Sequence, residues 1–190
     1  MTTASDHVRL LRELRSVRRF TAEPVDQRVI DDLLDVVRWT GSSSNRQPWE
    51  LVLVRNRETL AALATIGGGP GARHLADAAL AFVLVMTGER TDFDAGRCVE
   101  RILLALAAHG IGACVAGFSK PEQGAAVKDL LGVPAERTVR IAVSAGHPAG
   151  ERAHLVSAER GVDARLPLHA MKVGRKPVAE LVHLERYGGR

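Results

Sequence analysis

The chain has 190 residues, 46% hydrophobic, 25% charged and 4% aromatic, with a formal net charge of +4. That apolar content over that length builds a substantial core and excludes a mostly disordered chain, while the longest apolar runs, such as Leu80 to Met86, are too short to span a bilayer. The positive charge invites a nucleic-acid reading, but stacking aromatics are few and the basic residues are dispersed except at Arg9 to Arg19 and Lys172 to Lys176, so neither nucleic acid nor membrane is expected as a partner.

In chain order, Val8, Leu10, Leu11 and Leu14 predict a short first helix ending near Arg15. Asp26 is placed to cap a second, in which Ile30, Leu33, Leu34 and Val37 recur at helical spacing until Gly41 and the serines after it. Leu51 to Val54 reads as a buried strand entered through Pro48 and Trp49. Glu58 to Ala64 reads as a weaker helix and Gly67 to Gly71 as a loop at the mouth of a site. Ala78 to Val85 is the second strand. Asp94 to His109 follows as a helix whose second half is apolar all round, which predicts full burial. Ala113 to Ala116 then reads as a short strand, Pro121 to Leu131 as a helix and Thr138 to Ala145 as a strand. Residues 149–173 lack a period and form a connector, and Pro177 opens a short helix through Val182. Helices and strands alternate, which leaves open whether the sheet is parallel.

Two cysteines, Cys98 and Cys114, have no ligand-spaced partners, so core packing is expected and neither a disulfide nor a metal site. With no apolar signal core near the first residues, a cytoplasmic location is the simple expectation. The histidines form no i, i+4 metal pair, and no serine sits in a nucleophile elbow, so no protein group is expected to carry covalent catalysis.

Three segments carry binding chemistry instead. In Arg15-Ser16-Val17-Arg18-Arg19-Phe20, guanidinium groups and a hydroxyl can converge on a phosphate through charge-assisted, bidentate hydrogen bonds. Taken alone, such a run is more often a solvated face. The stretch from Trp39 through Ser42, Ser43 and Asn45 to Trp49 offers hydroxyls, amides and backbone N–H groups suited to a planar heterocycle; alone it is a serine-rich turn. In Gly174-Arg175-Lys176-Pro177, an arginine just before a helix can add its charge to the helix dipole at an anion.

Together these segments resemble the nitroreductase family in order, spacing and wording. Arg15 to Phe20 followed by Glu23-Pro24-Val25 is similar to its N-terminal motif, and Ser42 to Trp49 to its helix-to-strand motif. Asp94-Ala95-Gly96 and Gly110-Ile111-Gly112 bracket what resembles its central helix, and Ile141 to Pro148 its last core strand. Gly174 to Pro177, then Val182-His183 and Glu185 to Gly188, resemble its C-terminal signature. The resemblance implies one α+β domain over 1–190, a three-layer α-β-α fold with a mixed, mostly antiparallel sheet, and residues 174–190 as motif and extended C-terminal arm.

It implies FMN as cofactor and NADH or NADPH as electron donor. Arg15, Ser16 and Arg175 would hold the FMN phosphate, and Arg18 would face the pyrimidine side of the ring. Ser42 and Ser43 would contact the ring with Asn45 nearby, and Ala116 and Gly117 would give backbone contacts near its reactive edge. It further implies a homodimer with FMN at the interface, residues 178–187 reaching across the partner, and hydride transfer through flavin N5 to a small electron-poor acceptor such as a nitroaromatic or quinone. The chain departs from the pattern at Leu14, where many members carry arginine, and at Gly41, where many carry proline; the first implies either weaker phosphate binding or a load shifted to Arg12 or Arg175. Reductive dehalogenation, flavin fragmentation and flavin binding without turnover stay open as alternatives.

Overall fold

An apolar run of seven residues, Leu80–Met86, is buried at every position, as a strand covered on both faces must be. It is strand β2 of a four-stranded sheet with β1 Trp49–Val54, β3 Gly112–Gly117 and β4 Thr138–Gly146. The computed structural model describes residues 3–89, 91–150 and 175–188, and the chain divides into two compact units, Met1–Gly150 and Glu151–Arg190. In the first unit the strand order is β1-β2-β4-β3, antiparallel at every pairing. The parallel component of the expected mixed sheet is the bridge between Ser16 and Ala113 at the outer edge of β3.

Side chains alternate across β2, and each face has its own helical layer. Leu80, Phe82 and Leu84 pack with Ile30, Leu33 and Val37 of α2 Gln27–Arg38 and with Ile102 and Leu106 of α5 Asp92–Ala108. Ala81, Val83 and Val85 pack with Leu60 and Leu63 of α3 Arg57–Gly67, Leu75 of α4 His74–Asp77 and Val127 of α6 Pro121–Leu131. The result is the expected α-β-α layering. Helix α1, Ala4–Glu13, contributes no buried residue. Asp26 caps α2 as its sequence predicts, accepting from the Arg28 N–H at 2.8 Å.

Three expectations need correction. Strand β1 lies at the sheet edge and is mostly half-buried, so its apolar run reflects one covered face, not two. Helix α5 is not sealed all round: Leu103, Leu104, Ala105 and Ala107 are half-buried and Ala108 is exposed. The glycine-rich loop is shorter at its start than expected: Gly67 is the last residue of α3, and residues 68–73 turn directly into α4, which no periodicity announces. Gly68 closes α3 at φ 59°, where a glycine is favoured, and Gln123 Nε2 donates to Ile66 O at 3.0 Å and Gly67 O at 2.9 Å.

The connector from residue 151 onward and Gly174 lie outside the described residues. In the second unit, Pro177 is the N-cap of α7, Val178–Leu181, and the His183 and Tyr187 rings lie 4.4 Å apart. Among the described residues no helix is long and apolar enough to cross a membrane.

Candidate functional site

After α1 the backbone opens at Leu14 and runs beside β3. The Val17 N–H donates to Ala113 O at 2.8 Å. Gly112 makes this approach possible, because a Cβ there would stand 2.6 Å from Val17 Cγ1. Further along, the Thr21 N–H donates to His147 O and the Ala149 N–H to Arg19 O, both at 2.9 Å, while Phe20 lies over Gly146. Residues 16–21 therefore form a ledge fixed by backbone hydrogen bonds to β3 and to the turn after β4.

The ledge sets the spacing of its polar side chains. Arg15 Nη1 donates to Arg12 O at 2.8 Å and Leu14 O at 2.6 Å, completing carbonyls at the end of α1. Ser16 is exposed, and its hydroxyl side faces the Cys114 thiol. Arg18 is half-buried and its charge acts on His74 and Cys114. Its Nε is buried without a hydrogen-bond partner among the described residues. A buried donor left so costs about 1–3 kcal/mol unless something else takes its proton.

Beneath the ledge lies a polar group in the core. His74 is 3% exposed, with Nδ1 2.8 Å from Ser144 Oγ and Nε2 2.8 Å from Gly71 O. Since a carbonyl only accepts, Nε2 carries the proton in the neutral ring and Nδ1 accepts from Ser144. The same hydroxyl lies 3.2 Å from Cys114 O. Burial, aided by the Arg18 charge, holds the His74 pKa below its ordinary value against the Gly71 hydrogen bond. Burial pushes the Cys114 thiol up, opposed by Arg18 and Ser16, and raises Cys98 to about 11. Neither thiol is poised as a nucleophile.

Strand β3 changes character along its length. Ala113 is buried in the core on the α5 side, but Val115 and Gly117, which project on the same face, are exposed. A Cβ on Gly117 would meet nothing within 4 Å, so the sheet is bare there. Ala116 points into the opposite core at 0% exposure, and only its backbone is available. At the usual strand rise, Ala113 and Gly117 are about 13 Å apart.

The serine loop is held elsewhere. Ser43–Asn45 form a 3-10 turn, and Ser42 Oγ accepts from the Gln47 N–H at 2.8 Å. Ser44, Asn45 and Gln47 have φ of 52°, 51° and 47°, each costing roughly 1–2 kcal/mol for a side-chain-bearing residue. Gly41 lies against Arg97 of α5, and beside the loop Trp39 and Phe93 are 68% and 76% exposed. Thus the structure sets Arg15, Ser16 and Arg18 beside the start of β3, Ala116 and Gly117 at the far end of the same strand, and Ser42, Ser43 and Asn45 on a separate element. Arg175 is exposed and belongs to the second unit. Among the described residues no group of three or more potential ligands could hold a metal ion.

Two features escape sequence reasoning. His74 sits in a short segment without periodicity, and nothing local marks its pairing with Ser144. Gly112 reads as a helix stop, whereas its role is the close approach of Val17.

The sequence profile described as the nitroreductase family matches residues 11–85 and 86–147. A protein from Archaeoglobus fulgidus, named for an inferred NADH dehydrogenase/NAD(P)H nitroreductase activity, is 29% identical over 149 residues, covering 73% of this chain and 83% of its own. An NADH dehydrogenase of Thermus thermophilus is 26% identical over 192 residues, covering 78% and 90%. Among solved structures, an FMN-dependent nitroreductase from Clostridium difficile superposes with a TM-score of 0.76 at 22% identity, covering 94% of this chain and 99% of that one.

Proposed function

The chain belongs to the nitroreductase family, and on that premise we propose that it is an FMN-dependent NAD(P)H oxidoreductase acting on nitroaromatics, quinones or similar electron-poor small molecules. The observation that carries this reading is a pair of features on one strand: the orphaned, buried Nε of Arg18 on the ledge at the start of β3, and the bare face of that strand at Val115 and Gly117. A donor and a flat, side-chain-poor surface suit a planar ring rich in carbonyls and ring nitrogens.

The ledge fits the rest of such a cofactor. Arg15 and Ser16 stand beside the start of β3 and, with Arg175, hold the phosphate by charge-assisted hydrogen bonds. Arg18 directs fixed positive charge at the pyrimidine side of the ring, and the backbone of Ala116 and Gly117 lines its edge. Ser42, Ser43 and Asn45 approach from a second copy of the chain. In support of that, the loop starts against Arg97 of α5 and is flanked by the exposed Trp39 and Phe93. The working form is then a cytoplasmic homodimer with an FMN at each interface site.

Bound FMN supplies a two-electron relay at N5 between NADH or NADPH and the acceptor. The chain's own contribution is to orient both reactants over one face, exclude water and set the charge around the ring. The test is anaerobic mixing of FMN-loaded protein with each nicotinamide, followed by nitroaromatic, quinone and halogenated-phenol acceptors. Bleaching by a nicotinamide and recovery by a nitroaromatic or quinone is expected. Flavin that neither nicotinamide bleaches would make the protein a carrier, and recovery by the halogenated phenol alone would make it a dehalogenase.

A further inference from the structure

Between the end of β3, the start of α6 and the first residues of β4 lies a cavity of about 580 Å³. Its lining includes Gly117, Lys120, Lys128, Arg137 and Arg140 and, among the described residues, no acidic one. The carboxylates that answer these cations stand outside the cavity, and loosely: Glu50 is 3.7 Å from Arg137 and Asp92 is 3.4 Å from Arg140. Lys128 is tied by Nζ to Ala135 O at 2.7 Å, so its charge cannot swing away. Four like charges around one concavity repel one another, and an anion of matching charge relieves that repulsion.

We propose that this cavity is an anion subsite that takes a phosphate or diphosphate group of a ligand whose other end lies at Gly117. With Arg137 and Arg140 already facing Glu50 and Asp92 from outside, a carboxylate offers two oxygens to the cavity, whereas a phosphate presents several to its forked guanidinium and ammonium donors. Gly117 belongs both to the cavity and to the bare face of β3, so a ligand anchored here is aimed at that face. In that respect the inference rests on the proposed function. The phosphate could come from the nicotinamide donor or from a phosphorylated acceptor; the chemistry that recognises it is the same.

The experiment is a calorimetric titration of pyrophosphate into the full chain, with and without FMN, for the parent, K120Q/R140Q and R28Q/R38Q. Lys120 and Arg140 are exposed, so their neutralisation leaves the fold intact, and Arg28 and Arg38 remove the same charge from the exposed face of α2. Parent binding weakened at least tenfold in K120Q/R140Q, with R28Q/R38Q within twofold, is expected. No binding by the parent, or equal weakening in both variants, overturns the subsite. Steady-state KM values then identify the source. A rise in K120Q/R140Q for both NADH and NADPH points to the diphosphate, a rise for NADPH alone to the 2′-phosphate, and neither to the acceptor. If FMN-loaded parent is reduced by neither nicotinamide, the proposed function falls, while the pyrophosphate titration still decides the subsite.

Discussion

His74 and Ser144, 70 positions apart in the chain, meet under the ledge with Nδ1 2.8 Å from Oγ. The contact joins α4 to β4, and through Gly71 O it also fixes the connection that follows α3. The neutral ring satisfies both contacts, and the core holds it neutral by lowering its pKa.

That lowering makes stability depend on pH. Below the unfolded value near 6.5 the unfolded chain takes up a proton that the folded chain refuses. The contribution is therefore whole above that pH and is lost as pH falls through it toward the folded value. Urea unfolding of the parent should lose more stability between about pH 7.5 and about pH 5 than His74→Gln does. At neutral pH the variant should be less stable by about 1–3 kcal/mol, for the broken buried hydrogen bonds. Parallel pH profiles for the two proteins would remove His74 from the titration.

Gly112 should be as sensitive as any apolar core position. Ala at 112 would press its methyl into Val17 at 2.6 Å, and either the ledge moves off β3 or the strand shifts. Overpacking of this kind costs about 1–3 kcal/mol. Gly112→Ala should lower the unfolding midpoint and also weaken FMN binding, because Ser16 and Arg18 ride on the displaced backbone. Gly117→Ala, with open space around its Cβ, should leave stability within about 0.5 kcal/mol. Equal stability of the parent and Gly112→Ala, from matched denaturation curves, would show that the ledge adapts.

Much of this fold is legible from local chemistry. Asp26, Pro121 and the all-apolar Leu80–Met86 announce their elements because caps, first-turn prolines and doubly covered strands are set by near neighbours. The site is legible only as a set of residues. That Arg15, Ser16 and Arg18 lie on an edge of β3 depends on Val17 meeting Ala113, a pairing without a periodic signature. Strand β1 and the second half of α5 mislead for one reason: an apolar run shows what can be buried, but not how many neighbours cover it. Leu103 and Leu104 face a side of α5 that the described residues cover only in part.

Arg18 and Arg15 should separate the cofactor's electronics from its anchorage. The Arg18 guanidinium is half-buried and its Nε has no partner among the described residues, whereas Arg15 sits where α1 ends. Arg18→Gln should lower the potential of bound FMN by some tens of millivolts, about 30 mV being 1.4 kcal/mol for a two-electron couple. Occupancy should change little. Arg15→Gln should bind FMN more weakly at a near-parental potential. Spectroelectrochemical titration of both reconstituted variants decides it, and an unmoved potential in Arg18→Gln with a shifted one in Arg15→Gln would exchange the two roles.

Arg175 should act on affinity alone. Loss of one charge-assisted phosphate contact costs on the order of 1.5–3 kcal/mol, or roughly ten- to hundredfold in FMN affinity for Arg175→Ala. Fluorescence titration of the apoprotein with FMN and FAD measures this, and FMN should be preferred because the phosphate motif has no dinucleotide-type loop beside it. Preference for FAD, or unchanged affinity in a folded Arg175→Ala, would move Arg175 out of the site.

The order of the strands also governs when the site can exist during synthesis. Strand β4 is the last of the four to be made, yet it stands between β2 and β3, so β3 has no partner in the sheet until β4 has left the ribosome. The ledge waits longer still: Arg19 is bonded to Ala149, 130 residues downstream (149 − 19). At roughly 5–20 residues per second that delay is on the order of 10 s. From its own synthesis until β4 arrives, the fully apolar β2 can pair only with β1, and its other edge is open to neighbouring nascent chains. Expression yield should therefore respond to substitutions that slow the arrival or pairing of β4 more than to changes within the cofactor contacts themselves.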